Sequence, residues 1–311
     1  MLARILVIAL NTYREAVRAR ILHGLFALAV ATAGYALVVG AFALSSSLRV
    51  VSDLGAASIS VYGIVVAVVL GATSLYRELE LKTIFPILAR PIRRWEYLVG
   101  KFLGTVLTLA VFIAANSGVL LLALGVQAGR PISAPLGTAL GLTLVAVVLS
   151  FRLARARSYL PVPWALLILL AGAYFASGAP DDRRVVLGSA MLTLSEVGLV
   201  TAIATLFSAF SSPFLSAVFT FGLFAVGRSA DTLARLPVRI FGPGLASLGG
   251  VLAKLVPNLM LYVPPRPLLT GESSSGASLG SYLGMAALHS LAWSVFLLAC
   301  ASLLFRRRDF L

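Results

Sequence analysis

The chain has 311 residues, of which 60% are hydrophobic and only 12% charged, and its formal net charge is +14. Soluble domains carry about 25% charged and about 45–50% apolar residues, so this composition excludes a water-soluble fold and predicts an all-α, polytopic integral membrane protein. The excess of Lys and Arg indicates loops that face anionic lipid rather than nucleic acid, because no basic stretch carries the interleaved aromatic residues that base stacking requires.

The first predicted element is an amphipathic helix within residues 1–21. Its apolar residues share one face at helical spacing: Leu2, Ile5, Leu6, Ala9, Tyr13, Ala16 and Val17. Such a helix is typical of a segment that lies in the membrane interface. The alternative is that these residues begin the first membrane-spanning helix.

Apolar runs long enough to cross a hydrocarbon core of about 30 Å follow along the chain. Complete spans are predicted at about residues 22–44, 55–75, 102–126, 186–210 and 282–304. Shorter runs at 137–151 and 160–177 are interpreted as two more spans joined by a basic turn, with a re-entrant hairpin as the alternative. With a short run at 214–227, the bundle has about eight transmembrane helices.

Residues 228–281 are less apolar and predict an extracellular or re-entrant segment. Basic residues collect in cytoplasmic loops, and about 16 of the 25 Lys and Arg residues fall on the side of the N-terminus. We therefore expect both termini in the cytoplasm of a bacterial inner membrane. The Gly100/Gly104 and Gly137/Gly141 pairs are expected to permit close helix contact.

Motifs of enzymes are absent from the sequence. There is no HExxH, GxSxG or paired cysteine cluster, and the phosphate-binding GxxxxGK[ST] loop of ATPases is also missing. The isolated histidines, His23 and His289, predict helix–helix hydrogen bonding rather than a metal site. Glu196 lies alone within a predicted span, where a charge is costly. It is a candidate for a substrate pathway or proton site, and the alternative is an internal partner that orients helices.

The segment 76–101 mixes charged and apolar residues between two spans. This combination predicts a cytoplasmic docking element, because apolar side chains enter a partner's groove while charges at the rim fix the register. A helix on the membrane surface is the alternative. The candidate residues are Glu78, Ile84, Phe85, Leu88, Arg90, Arg93 and Arg94.

The same run, ELKTIFPILARPIRRWEYLVGK, resembles the cytoplasmic signature of ABC-2 type permeases. The matching residues are Glu80, Thr83, Ile84, Pro91, Arg93, Gly100 and Lys101, while Lys82 stands where the family usually has glycine. The opening IALNTYREAVRARIL resembles the family's elbow helix, and PNLMLY at 257–262 and FRRRDF near the end also fit. The branch that it resembles is the copper-processing NosY type.

The resemblance implies a single permease domain over 1–311 with the type V exporter fold. Because the family commonly has six spans, 137–180 is expected to be an additional helical hairpin. A homodimer, or a paired permease, would bind separate ATPase subunits that hold ATP and Mg, so this chain is expected to bind no cofactor itself. Glu80 and Thr83 join the ATPase-coupling residues on this basis.

The expected substrate is hydrophobic or amphipathic, since charges within the spans are sparse. Three alternatives remain open from the sequence. They are an ABC machine that transmits force without transport, an ion-coupled secondary transporter and a membrane-embedded lipid-modifying enzyme.

Overall fold

The structure, a computed structural model, describes residues 2–43, 46–80, 93–153, 156–272 and 278–306, with the backbone alone at 75–80 and 306. These residues form helices and short connections, without a strand in any of the described ranges. The helices are α1 (Leu2–Val17), α2 (Arg20–Phe42), α3 (Ser47–Glu80), α4 (Arg94–Gln127), α5 (Ser133–Arg152), α6 (Pro161–Phe175), α7 (Pro180–Ser208), α8 (Pro213–Arg228), α9 (Ala230–Ala234), α10 (Val238–Leu255), α11 (Arg266–Thr270) and α12 (Leu279–Arg306). Short 3-10 turns occupy Ala176–Gly178 and Leu259–Tyr262.

Among the described residues, eight helices are long and apolar enough to cross a membrane, which confirms the predicted polytopic bundle. Seven of them are predicted spans, and the two short runs at 137–151 and 160–177 are among these. The eighth is α10, which lies within the segment predicted to be extracellular or re-entrant, whereas the predicted run 214–227 is α8, with 16 residues.

A kink interrupts α10. Gly242 has a φ of 76°, and Pro243 follows it inside the helix. Glycine adopts a positive φ without steric cost, and proline removes a helical hydrogen bond, so the two residues together divide the helix. Neither part is as long as a membrane crossing requires. The kink therefore agrees with the surface or re-entrant placement of 228–281, which stays a prediction.

The centre of the bundle consists of α3, α4 and α7, which pack against one another. Apolar residues of these helices form one buried cluster, including Val66, Leu109, Phe112, Leu121 and Val197. Around this centre, α2 packs on α3, α6 on α4 and α12 on α7.

The predicted amphipathic helix is separate from the first span, because Ala19 is extended between α1 and α2. It packs along α4, where a Cβ on Gly104 would lie 2.4 Å from Ala9 O and one on Gly100 would lie 2.7 Å from Ile8. The expected close contact is thus observed at this glycine pair. It is wrong for Gly137 and Gly141, since neither has any described atom within 4 Å of an added Cβ.

Contacts between connections define two ends of the bundle. At one end, the turn between α5 and α6 meets the end of α1, where Arg18 donates a hydrogen bond to Ser158 at 3.3 Å. At the other end, the turn between α4 and α5 meets the one after α6, through Arg130 and Ser177 at 3.3 Å. The turns before and after α5 therefore lie at opposite ends of the bundle. This is expected if α5 and α6 are antiparallel helices that each run the full length of the bundle.

Candidate functional site

Glu196 lies near the middle of α7 and its side chain is 1% exposed. Its carboxylate oxygen Oε2 accepts a hydrogen bond from Arg228 Nη2 at 3.0 Å and a longer one from Ser60 Oγ at 3.5 Å. Oε1 lies 2.8 Å from the same Arg228 nitrogen. A charge at this depth is costly when alone, so the pairing explains how α7 tolerates it.

Arg228 is the last residue of α8. A cation in the last turn interacts favourably with the negative end of the helix dipole. The guanidinium also lies 5.5 Å from the centre of the Phe224 ring. Its side chain is 24% exposed, and its buried Nε has no hydrogen-bond partner among the described residues. The sequence analysis did not predict Arg228 as a site residue. Its place directly after the short apolar run 214–227 could have identified it as a candidate.

A second polar group lies close to this ion pair. Tyr262 Oη lies 3.0 Å from His289 Nδ1. The sequence predicted a hydrogen bond between two helices for this histidine, whereas its partner lies in the 3-10 turn Leu259–Tyr262. Ser290 Oγ donates to Ser195 O at 2.6 Å and so joins α12 to α7 beside Glu196. Burial raises the pKa of Tyr262 above its ordinary value, so this hydroxyl stays protonated and available as a donor. Together these residues form a polar group between α7, α8 and α12.

Another charged cluster joins three distant parts of the chain. Arg266 of α11 binds Asp53 near the start of α3 and Asp182 at the start of α7. Ser52 Oγ donates to Asp182 at 2.8 Å and accepts from Arg266 at 3.2 Å. The cluster holds the segment after α10 against the ends of two central helices.

The opposite end of the bundle carries a buried lysine. Lys101 Nζ donates to Ser74 O at 3.2 Å and lies 3.9 Å from Glu15 Oε2. This one side chain therefore connects α4 with α3 and α1. Lys101 is the last residue of the predicted coupling segment 76–101, which runs from the end of α3 into the start of α4.

Most of the predicted coupling residues cannot be placed. Thr83, Ile84, Phe85, Leu88 and Arg90 lie outside the described residues, and Glu78 and Glu80 are described by backbone alone. Of the remaining two, Arg93 is exposed immediately before α4.

Arg94 is turned toward α12 instead. It donates to Phe305 O at 2.9 Å and its guanidinium lies 6.0 Å from the Phe305 ring centre. Arg94 therefore connects the start of α4 to the end of α12, independently of any contact with a partner. Across the described residues, no group of three His, Cys, Asp or Glu side chains could hold a metal ion.

Comparison with known proteins gives one family. A family model described as "ABC-2 family transporter protein" matches residues 6–310, nearly the whole chain. No curated protein matches the sequence. The match covers both ends, the predicted coupling segment and the helices that carry Glu196 and Arg228.

Proposed function

This chain belongs to the ABC-2 transporter family and is a multi-pass membrane protein of the permease type, and from this premise we propose that it is the permease half of an ABC exporter. Two copies, or one copy and a paired permease, bind separate ATPase subunits on the cytoplasmic side of a bacterial inner membrane. ATP hydrolysis in those subunits moves a hydrophobic or amphipathic substrate outward. The family match over residues 6–310 is the observation that carries the proposal.

The packing of the central helices supports the proposed coupling route. The predicted coupling segment lies in sequence between α3 and α4, two helices of the buried centre. At its base, Lys101 connects both helices with α1. A partner that pushes on this segment would therefore act on α1, α3 and α4 together rather than on a loose loop.

The ion pair supports a substrate pathway near α7 and α8. Glu196 itself is buried, but the Arg228 side chain is 24% exposed. As an amphipathic substrate passes, its polar group would compete with the Glu196 carboxylate for the Arg228 guanidinium. Sparse charge elsewhere in the spans agrees with a mostly apolar substrate.

Copurification of an ATPase encoded beside this chain tests the proposal directly. Phe85→Ala and Arg93→Glu are expected to weaken association, because losing one bulky anchor at an interface centre often costs at least about 2 kcal/mol, or about thirtyfold in affinity. Arg93 is preferred to Arg94, since Arg94 also binds α12 within the chain.

Phe151→Ala and Arg152→Glu are the matched controls. Phe151 is 79% exposed at the end of α5, and Arg152 follows it. Both pairs of variants are compared at equal membrane levels of the permease. Full ATPase retention by Phe85→Ala and Arg93→Glu would show that the segment is a surface helix, and failure of the parent chain to bind any ATPase would refute the exporter proposal itself.

A further inference from the structure

A cavity of about 980 Å³ lies between α2, α4, α5 and α6, away from the Glu196–Arg228 pair. Its walls are mostly apolar, with Phe26, Phe112, Val147 and Trp164 among the side chains that line it. Polar side chains also line it: His23, Thr108, Thr143 and Ser150. Phe26 and Trp164 meet edge to face, with ring centres 5.9 Å apart. The predicted additional hairpin, α5 and α6, supplies much of this wall.

The cations of the cavity are gathered at one end. Arg18, from the connection between α1 and α2, and Arg157, from the turn between α5 and α6, both line it there. Arg18 donates to Ser158, the residue next to Arg157, so both arginines lie at this end of the cavity. No acidic residue lines the cavity, and Arg157 forms no ion pair with any described residue.

The cavity is open at the outer surface of the bundle. Val147 and Phe151, both on its α5 wall, are 46% and 79% exposed. On a membrane protein this surface meets the acyl chains of lipid. From Thr143 to Phe151 the wall extends about 12 Å along α5, at a rise of about 1.5 Å per residue. An elongated apolar group could therefore enter from the side while its head stays with the arginines.

We propose that this cavity binds one acidic phospholipid of the leaflet on the α1 side of the membrane. The phosphate interacts with Arg18, Arg157 and the Ser158 hydroxyl, and an acyl chain lies along α4 and α5. Basic pockets between transmembrane helices bind anionic headgroups in this way, and an apolar wall selects a lipid over a free anion. The proposal does not depend on ATP-driven transport.

A bound lipid would also join parts of the chain that make few contacts of their own. α5 packs mainly on α6, and most of its side chains are exposed. A lipid that touches α2, α4 and α5 together would hold the hairpin against α1 and α2. The loss of the lipid is therefore expected to lower the thermal stability of the detergent-solubilised protein.

Native mass spectrometry of the purified chain in detergent, titrated with dioleoyl phosphatidylglycerol or dioleoyl phosphatidylcholine, tests the site. We expect one phosphatidylglycerol to be retained per chain, in preference to phosphatidylcholine. The Arg18→Gln/Arg157→Gln variant should bind it about thirtyfold more weakly, since each arginine near a lipid headgroup contributes about 1 kcal/mol. Ala146→Phe, which fills the apolar wall without changing charge, should also lose binding.

The control is Arg20→Gln/Arg152→Gln, which removes two arginines at the same end of the bundle that do not line the cavity. It should keep the affinity of the parent chain, and inorganic phosphate should not displace the lipid. Equal binding of the two lipids, equal loss in the control, or displacement by inorganic phosphate would overturn the proposal. Ala146→Phe decides the matter if the arginine variant does not fold.

Discussion

The guanidinium of Arg228, the last residue of α8, lies 2.8 Å from the carboxylate of Glu196 in the middle of α7. The two residues are 32 positions apart in the chain and come from helices of very different length. Their pairing neutralises the carboxylate inside the bundle and joins the end of α8 to the middle of α7. The internal partner considered for Glu196 from the sequence is thus observed, while its role on a substrate pathway stays a prediction.

Removing one member of this pair should destabilise the protein more than removing both. Arg228→Met leaves the Glu196 carboxylate buried without its cation, which costs about 3–5 kcal/mol for a broken buried pair. Glu196→Leu/Arg228→Met removes both charges and should recover most of the loss. Thermal unfolding in detergent measures the difference, with the exposed Arg239→Met on α10 as control. A double variant as unstable as Arg228→Met would contradict this account.

Glu196→Gln should keep the fold and change activity. The amide still accepts a hydrogen bond from Arg228, but the charge that balances this arginine is lost. We expect altered substrate-stimulated ATPase activity of the permease–ATPase complex at normal expression. Glu196→Leu is the more severe test. If it expressed normally and retained normal activity, both the pathway role and the structural pairing would be refuted.

Arg266→Met should loosen the segment that follows α10. Its loss leaves Asp53 and Asp182 close together without their shared cation, and Asp182 is only 13% exposed. Hydrogen bonds to charged groups contribute about 1.5–3 kcal/mol, so we expect a stability loss in that range. Arg239→Met is the control, because Arg239 is exposed on α10, and exposed charges of this kind contribute about 0–1 kcal/mol. Equal melting temperatures for the two variants would contradict the stabilising role of Arg266 in this cluster.

Gly104→Ala and Gly141→Ala should have opposite effects. At Gly104 the added methyl group meets Ala9 O and the Thr12 Cβ, both closer than 3 Å, so α1 must move away from α4. Overpacking of this kind costs about 1–3 kcal/mol. At Gly141 the space is open, and alanine favours a helix by about 1 kcal/mol over glycine. Protease sensitivity of α1 and thermal stability measure both; an unchanged Gly104→Ala variant would show that α1 is not docked as described.

The proposed orientation gives a labelling test. In a Cys300→Ser background, Arg157→Cys should react only with reagents that reach the cytoplasm. Arg130→Cys and Thr270→Cys should react from outside, since these residues lie at the other end of the bundle, where Arg184 also donates to Thr270 O. A membrane-impermeant maleimide on intact cells makes the measurement. Labelling of position 157 from outside would reverse the proposed topology.

The membrane class and most of the helices follow from the sequence, because hydropathy and helix length are local properties. Seven of the eight long apolar helices in the described ranges lie where the sequence predicts them, and α1 is a distinct amphipathic helix. The run 214–227 is counted as the eighth span from the sequence, but it forms the 16-residue α8, which is too short to cross the hydrocarbon core, and α10 is the eighth long apolar helix of the described residues. The family is also readable at this level, since its motifs are short and contiguous.

Only the tertiary structure decided which polar residues meet. Glu196 was visible as a costly charge, but its partner lies on another helix, and nothing in the sequence around Glu196 points to Arg228. The same holds for Arg266, which joins positions 53 and 182, and for Arg18 and Arg157 at the mouth of the cavity. Gly104 and Gly141 illustrate the reason. Each belongs to a pair of glycines four residues apart, yet among the described residues a helix packs against Gly104 and none packs against Gly141. Local pattern sets what a helix can pack against, while the packing of the whole bundle sets what it does pack against.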